Sequence, residues 1–172
     1  VSVAIVVALY VFIGNSGVVS FGHISFVAVG AWTAGILSMP ASEKPAIMPN
    51  LVGFLRDTTV GNVPSLALAA AVGALFALIV GLPLMRLSGL PAGIATFAVL
   101  GITYNVLTYW PKIGPGPTAL ALVPECGIWT LTIGALIAVT VAFVYQRTPL
   151  GRLLRATKED PQAAQSVGID VH

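Results

Sequence analysis

PSLALAAAVGALFALIVGLPLM, residues Pro64–Met85, carries no charged side chain and stops against Arg86. A bilayer core about 30 Å thick takes roughly 20 apolar residues in a helix. This stretch meets that length. Val18–Met39, Leu90–Trp110 and Ile128–Gln146 meet or approach it, and Val1–Ile13 is a shorter apolar run. Together they predict five membrane segments, one of them partial, in an all-α, polytopic transmembrane helical bundle.

Composition agrees. Of 172 residues 57% are apolar and only 8% charged, with a mean hydropathy of +0.96. A soluble domain carries about 25% charged residues to wet its surface, so this chain belongs in a membrane. The net charge of +2 comes from thinly spread basic residues, not from a basic face interleaved with aromatics, which excludes nucleic acid as a partner. Cys126 is the single cysteine, so there is no intramolecular disulfide and no cysteine metal cluster. Val1–Ile13 has no basic n-region or small-residue cleavage site, and reads as the cut end of a transmembrane helix rather than a signal peptide. The chain is expected to be a fragment.

The chain divides into a transmembrane region, 1–146, and a hydrophilic end, 147–172. Pro40–Val63 holds Glu43, Lys44, Arg56 and Asp57 and reads as a polar loop with a short helix around Leu51–Leu55. Pro111–Pro117, PKIGPGP, cannot continue a helix and forms a turn. Arg147, Arg152, Arg155 and Lys158 place the end of the chain in the cytoplasm, because basic residues in short loops stay inside. Arg86 is then cytoplasmic, while Pro40–Val63 and PKIGPGP lie outside. Gly14–Gly17 is either a tight cytoplasmic turn or a break within one bent element.

Between the ends of the four fuller runs there is no Asp, Glu, Lys or Arg. Ion-coupled carriers place ionisable groups there, which disfavours that class. His23 is either a hydrogen-bonded or interfacial structural residue or a substrate contact. Small residues abound: Gly22, Ala28, Gly30, Ala31, Ala34 and Gly35 in one run, and Ala67, Ala70, Ala71, Gly73, Ala74 and Ala77 in the next. Such residues allow close helix packing in lipid. The sharper alternative is a polar-lined substrate path through Ser16, Ser20, His23, Ser25, Thr96, Thr103 and Asn105.

After Pro149, Leu150, Leu153, Leu154 and Thr157 fall at i, i+3, i+4 and i+7, the spacing of an amphipathic helix. Asp160 is placed as an N-cap, Pro161 as a first helical residue and Gly168 as a stop for a second, very short helix. That helix has a small face of Ala163, Ala164 and Val167. Three readings stand side by side: docking into a partner's groove, a membrane-surface helix, and a solvated tail.

Gly151–Ala156, Lys158–Asp160, Ala163–Ala164 and Gly168 resemble the cytoplasmic coupling loop, the EAA loop, of ABC-transporter permease subunits. In the branched-chain amino acid permease family this loop reads close to GRALRAIREDE-x-AA-x-x-x-G. Asn15–His23 resembles that family's early G-x-x-SLGH stretch, and Gly30–Thr33 its GAYT. Leu84–Leu90 with Ala95–Ala98 resembles its LRLRG-x-YFA-x-x-TLA stretch, although Pro91 stands where an aromatic is usual. The resemblance spans most of the chain.

It implies a permease subunit of an ATP-driven ABC importer in the bacterial cytoplasmic membrane, carrying branched-chain amino acids or related small polar solutes. The implied partners are two ABC ATPase subunits, a second permease subunit, an extracytoplasmic solute-binding protein and membrane lipid. No cofactor is expected on this chain and no catalysis, since ATP hydrolysis falls to the ATPases. The implied ATPase-coupling residues are Gly151, Arg152, Arg155, Ala156, Glu159, Asp160, Ala163, Ala164 and Gly168, with Glu159–Gly168 seated on the ATPase and Gly151–Lys158 aligning it. The alternatives are a sugar-type ABC permease, a channel or ion-coupled carrier, and a purely structural membrane subunit.

Overall fold

The structure, a computed structural model, describes residues 2–16, 21–84, 87, 90–113 and 127–159. Every regular element among them is helical: α1 (Ser2–Ser16), α2 (His23–Ser38), α3 (Lys44–Ile47), α4 (Gly53–Asp57), α5 (Asn62–Leu84), α6 (Leu90–Tyr109), α7 (Ile128–Arg147) and α8 (Pro149–Glu159). The all-α expectation holds. Three helices, α5, α6 and α7, are long and apolar enough to cross a membrane, whereas α1 and α2 are apolar but shorter. They form two units, one of α1, α7 and α8 and one of α2 to α6.

In the second unit α2 is shorter than the Val18–Met39 run. Residues 18–20 lie outside the described set, and the helix starts only after Gly22, whose carbonyl accepts from Ser25 N at 3.0 Å. The amide of Phe21 donates instead to Thr96 Oγ1 on α6, at 3.2 Å. At the far end Met39 is extended (φ −66°, ψ 136°), the conformation a residue preceding proline prefers. At the start of α6, Pro91 sits in the first turn, where a missing N–H costs no helical hydrogen bond.

Helices α2, α5 and α6 pack on one another through small and hydroxyl-bearing residues. On α5 the buried residues are Ser65 and Ala69, at i and i+4. A Cβ on Gly30 would lie 4.0 Å from the Ala69 carbonyl, so the two backbones approach closely there. Most of the alanines singled out on α5, Ala67, Ala70, Ala71 and Ala74, face outward. Phe26 and Phe76 meet edge to face at 5.8 Å between ring centres. Leu75, Leu78, Ile79 and Leu82 are exposed apolar side chains of the kind that lipid solvates.

Residues 40–63 are more ordered than a polar loop. Two short helices, α3 and α4, cover the end of α2 with a cluster of Ile36, Met48 and Leu51, packed by Trp32, Ile47 and Leu55. Burying each such side chain contributes about 1.5–3 kcal/mol. Lys44 is wholly buried at the centre of this cap. Its Nζ donates to the Leu55 carbonyl at 2.8 Å and to the Thr58 carbonyl. Burial pushes the Lys44 ammonium below its ordinary pKa, and Asp57 opposes the shift. The folded-state value lies below the unfolded one, so the penalty for holding the charge fades as pH rises between the two.

Replacing Lys44 by Met keeps the apolar stem and strips both carbonyls of their donor. Leaving buried acceptors unpaired costs about 1–3 kcal/mol. Lys44→Met is therefore expected to raise hydrogen-exchange rates across residues 44–60 while α5 keeps its protection; mass spectrometry of peptides from the two regions reads the difference.

Candidate functional site

The longer helices α1, α2, α5, α6 and α7 are apolar all round, whereas α8 separates its polar and apolar side chains onto opposite faces. A helix that is hydrophobic on every side suits lipid, and an amphipathic one suits a boundary. How α8 is anchored follows from a corner of four residues. Arg147 ends α7, its guanidinium 4.2 Å from the centre of the Phe143 ring. Thr148 then turns extended (φ −66°, ψ 155°). Its hydroxyl donates to the Tyr145 carbonyl at 2.6 Å and accepts from the amide of Gly151 at 3.3 Å. One side chain thus closes α7 and caps α8, and Pro149 occupies the first helical position that its fixed φ favours.

Gly151 completes the corner. A Cβ there would lie 2.5 Å from the Tyr145 carbonyl oxygen and 3.3 Å from the Gln146 Cα. Backbone cannot retreat as a side-chain tip can, so glycine is required by close approach rather than by backbone angle.

The same face of the helix, one and two turns beyond Gly151, meets α1. Arg155 Nε donates to Asn15 Oδ1 at 2.6 Å, and Lys158 Nζ donates to the Gly14 carbonyl at 2.9 Å. Asn15 is 2% exposed, and its Nδ2 donates to the Val11 carbonyl at 2.6 Å. Two cations therefore sit on the C-terminal end of α1, where each contributes about 0.3–1 kcal/mol against the helix dipole. The helix runs on through Gly14 and Asn15 to Ser16, so a turn can start only beyond that point; residues 17–20 lie outside the described set.

The expected coupling residues accordingly divide. Gly151 is buried in the corner and Arg155 reaches Asn15, while Arg152, Ala156 and Glu159 are exposed. Asp160, Ala163, Ala164 and Gly168, and with them the second short helix, lie outside the described residues. Thr148 and Asn15 carry the geometry and had not been singled out. The Thr-Pro pair was a readable cap signal for the first; the second had no signal beyond being a polar residue at the end of an apolar run.

Among the described substrate-path residues, Thr96 and Thr103 share one face of α6 and Asn105 lies off it. Thr96 is buried, accepts from Phe21 N and donates to the Gly93 carbonyl at 2.8 Å, which makes it a helix-joining residue. Thr103 is buried too, seven residues along the same face of α6. Asn105 is exposed and bonds within its own helix, to the Gly101 carbonyl at 2.8 Å. Two residues from Thr103, it falls about 200° around the helix. His23 is partly buried and meets Phe26 edge to face, 6.1 Å between ring centres. Ser20 and the side chain of Ser16 lie outside the described residues. Ser25 is fully buried.

Residues 2–172 match the sequence model of a family described as branched-chain amino acid transport system, permease component. No curated protein and no solved structure matches the chain.

Gly151→Ala should force α8 off the end of α7. The expected result is faster trypsin cleavage at Arg152 and Arg155 in the purified protein, with unchanged membrane insertion. Thr148→Val, which removes the cap, should do the same more weakly, by about 1 kcal/mol.

Proposed function

The chain belongs to the branched-chain amino acid transport permease family, and on that premise we propose that it is a membrane subunit of an ATP-driven ABC importer. Its solutes are branched-chain amino acids or related small polar molecules. It lies in the cytoplasmic membrane of a bacterium, crosses it several times, and pairs with a second permease subunit. Two ATPase subunits bind from the cytoplasm, and a solute-binding protein delivers from outside. ATP is hydrolysed on the ATPases and not on this chain.

The observation that supports this reading best is the mounting of α8. The Thr148–Gly151 corner fixes the start of the helix against α7 by hydrogen bonds and by backbone contact. The side away from that corner offers Arg152, Leu153 and Ala156 to a partner, all exposed. A solvated tail needs no such corner. A membrane-surface helix would use broad aromatic anchors on its apolar side, and α8 has none. A helix held rigidly on one side and free on the other is suited to transmit a push. In this reading Glu159–Gly168 sit on the ATPase, and Gly151–Lys158 hold them at a set angle.

Ala164→Trp or Gly168→Trp, introduced in the full-length subunit and assembled with its partners in vesicles, should leave insertion intact. ATP hydrolysis should continue while solute uptake falls at least several-fold. Normal uptake by both variants would sink the docking role, and uptake by wild type without ATP would point to a carrier instead.

A further inference from the structure

The mounting of α8 on α7 explains how the start of the helix is held, but not why the same face, one and two turns further on, carries two cations onto a different helix. Arg155 and Lys158 lie three residues apart on α8 and reach successive residues of α1, Asn15 and Gly14. Arg155 and Asn15 are 140 residues apart in sequence. We infer that Asn15 is a positioning residue for transport: the clasp through which movement of the coupling helix is passed to α1.

The chemistry of the pair supports a specific grip. A guanidinium has donors and no acceptor, so it fixes which end of the Asn15 amide faces it: Oδ1 must point to Arg155. The amide nitrogen is thereby aimed back along α1, where it donates to Val11 O at 2.6 Å. Asn15 therefore bridges the arginine to the last full turn of α1, and a displacement of Arg155 is felt by backbone rather than by a loose side chain. Lys158 adds a second hold on the carbonyl of the preceding residue. The Asn15 end of the grip is sheltered, since Asn15 is 2% exposed. A neutral hydroxyl suffices to close α7, at Thr148, whereas here the charge of Arg155 meets a side chain rather than a helix carbonyl.

The inference rests on the importer reading, and the two can fail separately. Full-length subunit, carrying Asn15→Ala, Asn15→Asp, Arg155→Ala or the double Asn15→Ala/Arg155→Ala change, is assembled with its ATPase and permease partners in vesicles. Three quantities are read: ATPase subunit retained, ATP hydrolysed, and leucine taken up. Asn15→Ala is expected to retain the ATPase and its hydrolysis while uptake per ATP falls about tenfold, the size set by a lost hydrogen bond to a charged group. Asn15→Asp, whose carboxylate still accepts from Arg155 but cannot donate to the Val11 carbonyl, should recover that loss only in part, which also separates a lost contact from a damaged fold. The double variant should be no worse than the poorer single one, because both remove the same contact. Unchanged uptake per ATP in Asn15→Ala, or losses that simply add in the double variant, would overturn the clasp and leave the importer reading standing. A wild-type assembly that retains no ATPase would overturn both.

Discussion

A helix leaves its last four carbonyls without partners in its own backbone, and donors from elsewhere must meet them. Much of the described structure follows from how those carbonyls are met. Lys158 takes the Gly14 carbonyl at the end of α1. Thr59 and Val60 return to the Met39 and Leu37 carbonyls at the end of α2, at 3.3 and 2.8 Å. Lys44 and Thr58 close α4 through the Leu55 and Phe54 carbonyls. Thr148 closes α7. In each of the first two cases the donor comes from a different element, so closing a helix also fastens a connection to it. The chain has few charged residues, and two of its eight Lys and Arg residues are spent as helix caps on carbonyls.

That economy explains why some of the fold was legible and some was not. Segments were readable because hydrophobicity is a local property. The Ile128–Gln146 run differs from α7 by one residue, and the Leu90–Trp110 run differs from α6 by one. The leucine spacing after Pro149 gave α8 directly. Lys44 was not readable. A lysine among prolines and acids in a polar loop looks solvated, and only the folding of α3 and α4 over the end of α2 buries it. Asn15 was hidden for a similar reason: its partner is remote in sequence, and no periodicity connects them.

The expected substrate path is a different case: it groups polar residues by chemistry, and on α6 their spacing divides them. Thr96 and Thr103 share a face of α6, and Asn105 cannot join it. The structure then gives the threonines structural work, since a buried hydroxyl in an apolar surrounding must find a partner, and Thr96 finds two. Hydroxyls in such helices are as well suited to joining helices as to meeting a solute.

The coupling segment combines both lessons. Its residue types resemble a family pattern, but the structure separates the work they do. Gly151 is required by a backbone carbonyl 2.5 Å from where its Cβ would be, and Arg155 is directed to a partner within the same chain. Arg152 and Ala156 have no such constraint and face outward. A lever needs a fulcrum as well as a contact for the applied force. In the proposed coupling role Gly151 would supply the fulcrum on α7, Arg155 would carry the motion to α1, and the exposed residues would receive it. A substitution on the inner side should therefore disturb how a push is transmitted, whereas one on the outer side should disturb whether a partner binds at all.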